Sequence, residues 1–125
     1  MLIDTQIVVW LGRGGDDLGQ RSRALLDRHP VYFSSVSVLE VVIKRLKRGR
    51  EMPADLPALI EQQGLRQLPL TAEHAEAIAW FPELAGHDPF DRALLAQAKA
   101  EGLEFLTADR VLLGLGYPWI VDARE

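Results

Sequence analysis

The chain has 125 residues, 48% hydrophobic and 26% charged, with a formal net charge of −4 and no cysteine. That length and balance suit one globular domain, 1–125, with a proper core and little room for a second. The lack of cysteine excludes disulfides, thiolate zinc sites and cysteine nucleophiles, and the acidic sum argues against non-specific coating of nucleic acid while leaving room for a local basic patch.

In chain order, a short buried strand is expected over residues 2–5 and a helical turn over 6–11, which Gly12-Arg13-Gly14-Gly15 breaks. Residues 17–28 have helical spacing through Leu18, Leu25 and Leu26, and His29-Pro30 stops them. A second strand follows over 31–34. Leu39, Val42, Ile43 and Leu46 then mark a helix over 37–48, with Gly49 as its stop. Proline opens a helix over 53–63, a third strand covers 65–70, and Thr71 caps a helix over 71–81. After a loop over 82–87 come a helix over 89–100 closed by Gly102, a fourth strand over 104–107, a helical turn over 109–113 and a fifth strand over 119–121. This alternation implies an α/β fold, a mainly parallel sheet of four or five strands with helices on both faces. No apolar run reaches the roughly 18 residues of a membrane-spanning helix. Met1-Leu2-Ile3-Asp4 reads as a strand rather than a leader, so a cytoplasmic protein without membrane partners is the expectation.

Asp4, Glu40, Asp91 and Asp109 each stand where an apolar run gives way to a helix. In an open parallel sheet these junctions share the carboxyl edge, where ligands bind. Four acids gathered there repel one another unless protons or a cation compensate, and a hard divalent ion with oxygen ligands suits the set. Each acid also has a plainer reading. Ser37 and Glu40 fit a capping box, Asp88-Pro89-Phe90-Asp91 is a good helix start, and Asp109 can cap the next turn. Asp4 resists such a reading, because an unpaired acid after three apolar residues of a central strand costs stability.

The segments Leu2-Ile3-Asp4-Thr5, Ser35-Val36-Ser37-Val38-Leu39-Glu40 with Lys44, His87-Asp88-Pro89-Phe90-Asp91-Arg92 and Leu106-Thr107-Ala108-Asp109-Arg110 resemble, in order, the motifs of PIN-domain ribonucleases. The likeness is greatest to the VapC-type toxins of bacterial toxin–antitoxin systems, and it spans essentially the whole chain. It implies metal-dependent hydrolysis of RNA, with Asp4, Glu40, Asp91 and Asp109 as the acidic site. Mg²⁺, or Mn²⁺, would be held by Asp4 and Asp91, with Asp109 bound directly or through water and Glu40 orienting a water. Thr5 and Thr107 match small hydroxyl residues lining that site. Gln6 departs from the family pattern, where histidine is frequent. A small cognate antitoxin and a toxin homodimer are the implied partners.

Lys44, Arg45, Lys47, Arg48 and Arg50 form the one dense basic run. It reads either as a solvated helix end that prefers cations or as phosphate contacts on RNA, Lys44 and Arg45 foremost. Arg92 either holds phosphate or pairs with a nearby acid, as does Arg110. His87 reads as a surface histidine rather than a base. Trp10, Trp80 and Trp119 read as core or interface residues rather than base-stacking platforms. Gly12, Gly14 and Gly15 lack the lysine and hydroxyl residue of a phosphate-binding loop. Two rival functions remain in view. One is a non-catalytic RNA- or protein-binding module of the same fold. The other is a phosphoaspartate protein, which Gln6 and the acid-free run Leu65-Arg66-Gln67-Leu68-Pro69-Leu70 disfavour.

Overall fold

A computed structural model describes residues 1–48 and 54–125. The expectations at Gly49, Arg50 and Pro53 fall outside the described residues. Five strands form one sheet: β1 (Leu2–Ile3), β2 (Tyr32–Ser34), β3 (Arg66–Leu68), β4 (Phe105–Thr107) and β5 (Ile120–Asp122), in the order β3-β2-β1-β4-β5. Every neighbouring pair is parallel. Ile3 lies opposite both Phe33 and Leu106, so Asp4, Ser34 and Thr107 leave the sheet at one level. That register is what gathers distant parts of the sequence at a single edge.

Alternation along the strands divides the core in two. Ile3, Phe33 and Leu106 face a cluster with Ile7, Val8, Val41 and Ile60, whereas Leu2 and Phe105 face Leu94, Leu95, Phe81 and Leu112. Helices α1 (Thr5–Gly12) and α4 (Leu56–Gln62) supply the first face; α6 (Pro89–Glu101) and α7 (Arg110–Leu113) supply the second. Helix α3 (Ser35–Arg48) reaches both, through Val41 and Val36. A fully buried aliphatic or aromatic side chain stabilises the fold by about 1.5–3 kcal/mol. Such burial around β1 offsets the cost of holding Asp4 among apolar neighbours. No helix among the described residues is long and apolar enough to cross a membrane.

Several boundaries differ from the sequence reading. The helix expected from residue 17 starts later, as α2 (Gln20–Arg28), because the backbone of Gly19 lies directly against Arg124 and Glu125. The amide of Gly19 donates to the Ala123 carbonyl at 2.9 Å, which ties α2 to the strand end beyond β5. Helix α3 begins at Ser35 rather than Ser37, since the Ser34 hydroxyl accepts from the Val36 amide at 3.0 Å. Ser37 is therefore inside the helix, and the expected Ser37–Glu40 capping box does not form. Helix α4 carries Pro57 in its first turn. The helix expected over 71–81 is α5 (Ala72–Glu76) followed by a 3₁₀ turn, Ala77–Trp80; Thr71 caps it, with His74 completing the box. A second 3₁₀ turn, Pro82–Leu84, occupies the expected loop.

Beneath the carboxyl edge lies a buried polar network. The Ser34 hydroxyl donates to Gln97 Oε1, and Gln97 Nε2 reaches the carbonyls of Leu68 and Pro69. His74 Nδ1 accepts from the Thr71 amide at 3.1 Å, so its Nε2 carries the hydrogen that bonds Glu101 at 2.7 Å. The network joins β2, α5 and α6 and fixes where α3 starts.

Candidate active site

A cleft of about 410 Å³ opens at the carboxyl edge, and Asp4, Glu40, Asp88, Asp91 and Asp109 all line it. Asp4 is the N-cap of α1 and only 5% exposed. The Thr5 amide donates to its Oδ1 and the Thr107 hydroxyl to its Oδ2, each at 2.6 Å. The Thr5 hydroxyl in turn donates to Ser37 Oγ at 3.0 Å, locking α1 to α3 beside the site. Burial is the main force raising the Asp4 pKa, opposed by the bond from Thr107 and then by that from Thr5.

Glu40 comes from the second turn of α3 and is 6% exposed. Its Oε1 meets Lys44 Nζ at 3.5 Å, one helical turn on, while Oε2 is buried with no hydrogen-bond partner among the described residues. Burial again raises its pKa, against the nearby Lys44 charge. An orphaned buried carboxylate oxygen is the costly arrangement that buried acids ordinarily avoid.

Asp91 sits in the first turn of α6, behind the Asp88 cap whose Oδ1 accepts from the Phe90 and Asp91 amides. Its carboxyl is pushed up to about 7, first by burial and then by the charges of Asp4 and Asp88, although a bond from His87 works the other way. Asp109 does cap α7, accepting from the Val111 amide at 2.7 Å and the Leu112 amide at 3.2 Å. Capping therefore coexists with a place in the cleft, and the same is true of Asp88. His87 Nε2 lies 3.0 Å from Asp91 Oδ2. His87, Asp91 and Asp109 each present one ligand atom, all within 4.8 Å of one another. That trio contains a histidine in place of Asp4, whose two oxygens are each already engaged by a donor.

The other singled-out residues are distributed unevenly. Thr5, Gln6 and Lys44 line the cleft, as do Val9, Trp10, Arg13 and Arg48. Thr107 lies behind it, fully buried, with its hydroxyl committed to Asp4. Arg45 and Arg92 are not among the lining residues; Arg92 Nη1 reaches the Ala85 carbonyl at 3.5 Å. Trp119 stacks on Tyr117 with ring centroids 5.4 Å apart, an internal packing role, while Trp80 is 53% exposed away from the cleft. Sequence reasoning missed Asp88 as a lining residue and His87 as a partner of Asp91. The four-residue spacing of His87 and Asp91 was the available signal, since a helix start brings such positions together.

The acids supply hard oxygen donors, more negative charge than their own hydrogen bonds neutralise, and one partnerless oxygen. That donor set suits a divalent cation of the Mg²⁺ or Mn²⁺ kind. The family model described as "PIN domain" matches residues 1–115. Among solved structures, a toxin–antitoxin complex from Klebsiella pneumoniae is 21% identical over 96% of this chain and 94% of that one, with a TM-score of 0.64. VapBC2 from Rickettsia felis, bound to a DNA fragment from its promoter, is 16% identical over 97% and 95%, at 0.68. DNA-bound VapBC from Salmonella typhimurium is 19% identical over 97% and 94%, at 0.63. No curated protein gives a significant match to the chain.

Proposed function

The chain belongs to the PIN-domain family, and from that premise we propose that it is a metal-dependent endoribonuclease, the toxin of a toxin–antitoxin pair. The observation that carries the chemistry is the clustering of Asp4, Glu40, Asp91 and Asp109 in one cleft, with Asp91 raised to about 7 and Glu40 Oε2 unpartnered. Asp4, Asp91 and Asp109 are the proposed holders of Mg²⁺, with Mn²⁺ able to replace it. When bound, such an ion would lower the pKa of a water so that hydroxide is available to attack a phosphodiester, and would offset charge on the leaving oxygen.

The chain's own residues perform the rest. Thr107 and the Thr5 amide fix the Asp4 carboxylate against rotation. Glu40, which lines the cleft and whose pKa burial raises, is the proposed group to orient a water and take its proton. Lys44 sets a positive charge beside Glu40, where a substrate phosphate entering the cleft gains from it. The likeness to toxin–antitoxin complexes supports a small cognate antitoxin as partner; a toxin homodimer acting in the cytoplasm is part of the same proposal.

The test is incubation of the purified protein with defined RNAs in Mg²⁺, Mn²⁺ or chelator, beside Asp4→Asn. Cleavage should require metal and disappear in the variant. Binding of RNA with no cleavage under any metal would instead identify a non-catalytic module of this fold.

A further inference from the structure

The segment Asp122–Glu125, which completes β5 and runs on beyond it, is docked against the start of α2. The Gly19 amide donates to the Ala123 carbonyl at 2.9 Å, the Ser22 hydroxyl to the Asp122 carbonyl at 3.1 Å and the Arg21 amide to the Glu125 carbonyl at 2.7 Å. Arg21 also pairs with the Glu125 carboxylate at 3.2 Å. A Cβ on Gly19 would fall 2.3 Å from the Arg124 carbonyl oxygen, so only glycine admits so close an approach. The same segment also reaches the turn between β4 and α7, Thr107-Ala108-Asp109. There the Ala123 amide donates to the Thr107 carbonyl at 2.8 Å, and Arg124 Nη1 donates to the Ala108 carbonyl. Two consecutive residues thus take two consecutive carbonyls, directly before Asp109.

The peptide joining Ala108 to Asp109 is one rigid plane. Its N–H, on Asp109, donates to the Thr107 hydroxyl at 3.0 Å, and its C=O, on Ala108, accepts from Arg124. The plane is therefore gripped at both ends, from within the turn and from the distant segment. Asp109 follows at once, with Oδ1 engaged by the Val111 and Leu112 amides and a carboxylate oxygen within 4.8 Å of an Asp91 oxygen. We propose that Arg124 is a positioning residue for the active site: by holding the Ala108 carbonyl it sets where the Asp109 carboxylate stands relative to Asp91. The inference rests on the proposed role of Asp109 as an ion holder and goes beyond it by tying that role to a residue outside the cleft. The α2 contacts already dock the segment, and Arg124 is an exposed residue, so its guanidinium is not needed to bury anything. A bond from a charged donor is roughly twice as strong as a neutral one, which suits it to restraining a peptide plane. Groups that orient an ion's ligands without touching the ion typically change its affinity by about 10–100-fold.

The experiment measures Mn²⁺ affinity by electron paramagnetic resonance, and backbone hydrogen exchange in chelator, on the wild type and three variants. Arg124→Met keeps an unbranched stem and removes the donor. It should raise the Mn²⁺ dissociation constant about tenfold and speed exchange of the Val111 and Leu112 amides by a similar factor. Arg124→Lys, which still donates to a carbonyl, should restore most of both. Arg21→Ala removes an ion pair to the same segment but no bond to the turn, and should leave both at wild-type values. Wild-type affinity in Arg124→Met overturns the proposal. So do equal losses in Arg21→Ala, which would make docking of the whole segment the cause. Should Arg124→Met fail to fold, exchange of the wild type in rising, sub-denaturing urea decides. Opening of the Ala123, Val111 and Leu112 amides as one unit supports the coupling, and independent openings overturn it. A wild type that binds no Mn²⁺ sinks the ion reading of the cleft, and the exchange result then decides alone whether Arg124 holds the turn.

Discussion

Two buried polar clusters meet at the carboxyl side of the sheet, and they are built on opposite terms. In the network of Ser34, His74, Gln97 and Glu101, donors and acceptors alternate and each side chain named has a partner. In the cleft, carboxylates face carboxylates, the pKa values of Asp4, Glu40 and Asp91 are raised, and Glu40 Oε2 has no partner. A satisfied network contributes rigidity and a defined geometry. An unsatisfied one stores repulsion that only a proton or a cation relieves. Folding energy from the first cluster and the apolar core holds the second in place.

The largest expected effect separates the two clusters by function. Asp4→Asn or Asp91→Asn should reduce RNA cleavage by orders of magnitude while leaving the fold intact, because an amide removes the charge that retains the ion. Cleavage assays beside far-ultraviolet circular dichroism check both halves, and an active Asp4→Asn protein would refute the division. Metal should stabilise through the cleft alone. At 100 times its dissociation constant, Mg²⁺ or Mn²⁺ should add about 2.7 kcal/mol to the wild type. That gain should largely vanish in an Asp4→Asn, Asp91→Asn double variant, which in chelator should melt no lower than the wild type. Equal metal-induced shifts in melting temperature would show that these acids do not form one ion site.

Damage to the satisfied cluster should have the reverse character. Gln97→Leu leaves Ser34 and the carbonyls at Leu68 and Pro69 without their partner and should cost about 2 kcal/mol in urea unfolding. It should do so without altering the metal-induced shift. The gentlest signal is a slope with pH. Asp91 titrates near 7 in the folded protein against an ordinary 3.8, so the folded state holds the extra proton between those values. In chelator, wild-type stability relative to Asp91→Asn should be greatest near pH 4, decline as pH rises toward 7, and level off above. A difference that stays constant across that range would show that Asp91 is not strained by its neighbours.

The sequence made some of this legible and hid the rest for identifiable reasons. Asp4 stood out as an acid closing a central apolar strand, although the expectation that it resists a capping role fails, since it caps α1 through the Thr5 amide. The parallel sheet followed from strands and helices in alternation, and the common edge followed from the sheet. Glu40 was visible as a candidate, but its capping-box reading failed because Ser34, Ser35 and Ser37 can all start a helix and only packing chooses among them. Asp109 was weighed between capping and the site, and Asp88 was read as a cap alone, yet a carboxylate with two oxygens can cap with one and leave the other for the cleft. The extension of the cleft along α1 and α3, past Trp10, Lys44 and Arg48, was not legible at all. It depends on which helices a crossover sets side by side, and no local pattern around Trp10 or Arg48 contains that.

The bond from the Thr107 hydroxyl to Asp4 Oδ2 spans 103 residues of chain. β1, which carries Asp4, is only two residues long and lies between β2 and β4 in the sheet. During synthesis at roughly 5–20 residues per second, Asp4 therefore waits some 5–20 seconds before its partner strand exists. Until β4 emerges, neither the Asp4 carboxylate nor Asp109 can reach its final place. An emerging polypeptide of this kind therefore presents no assembled acidic cleft until its last strands close.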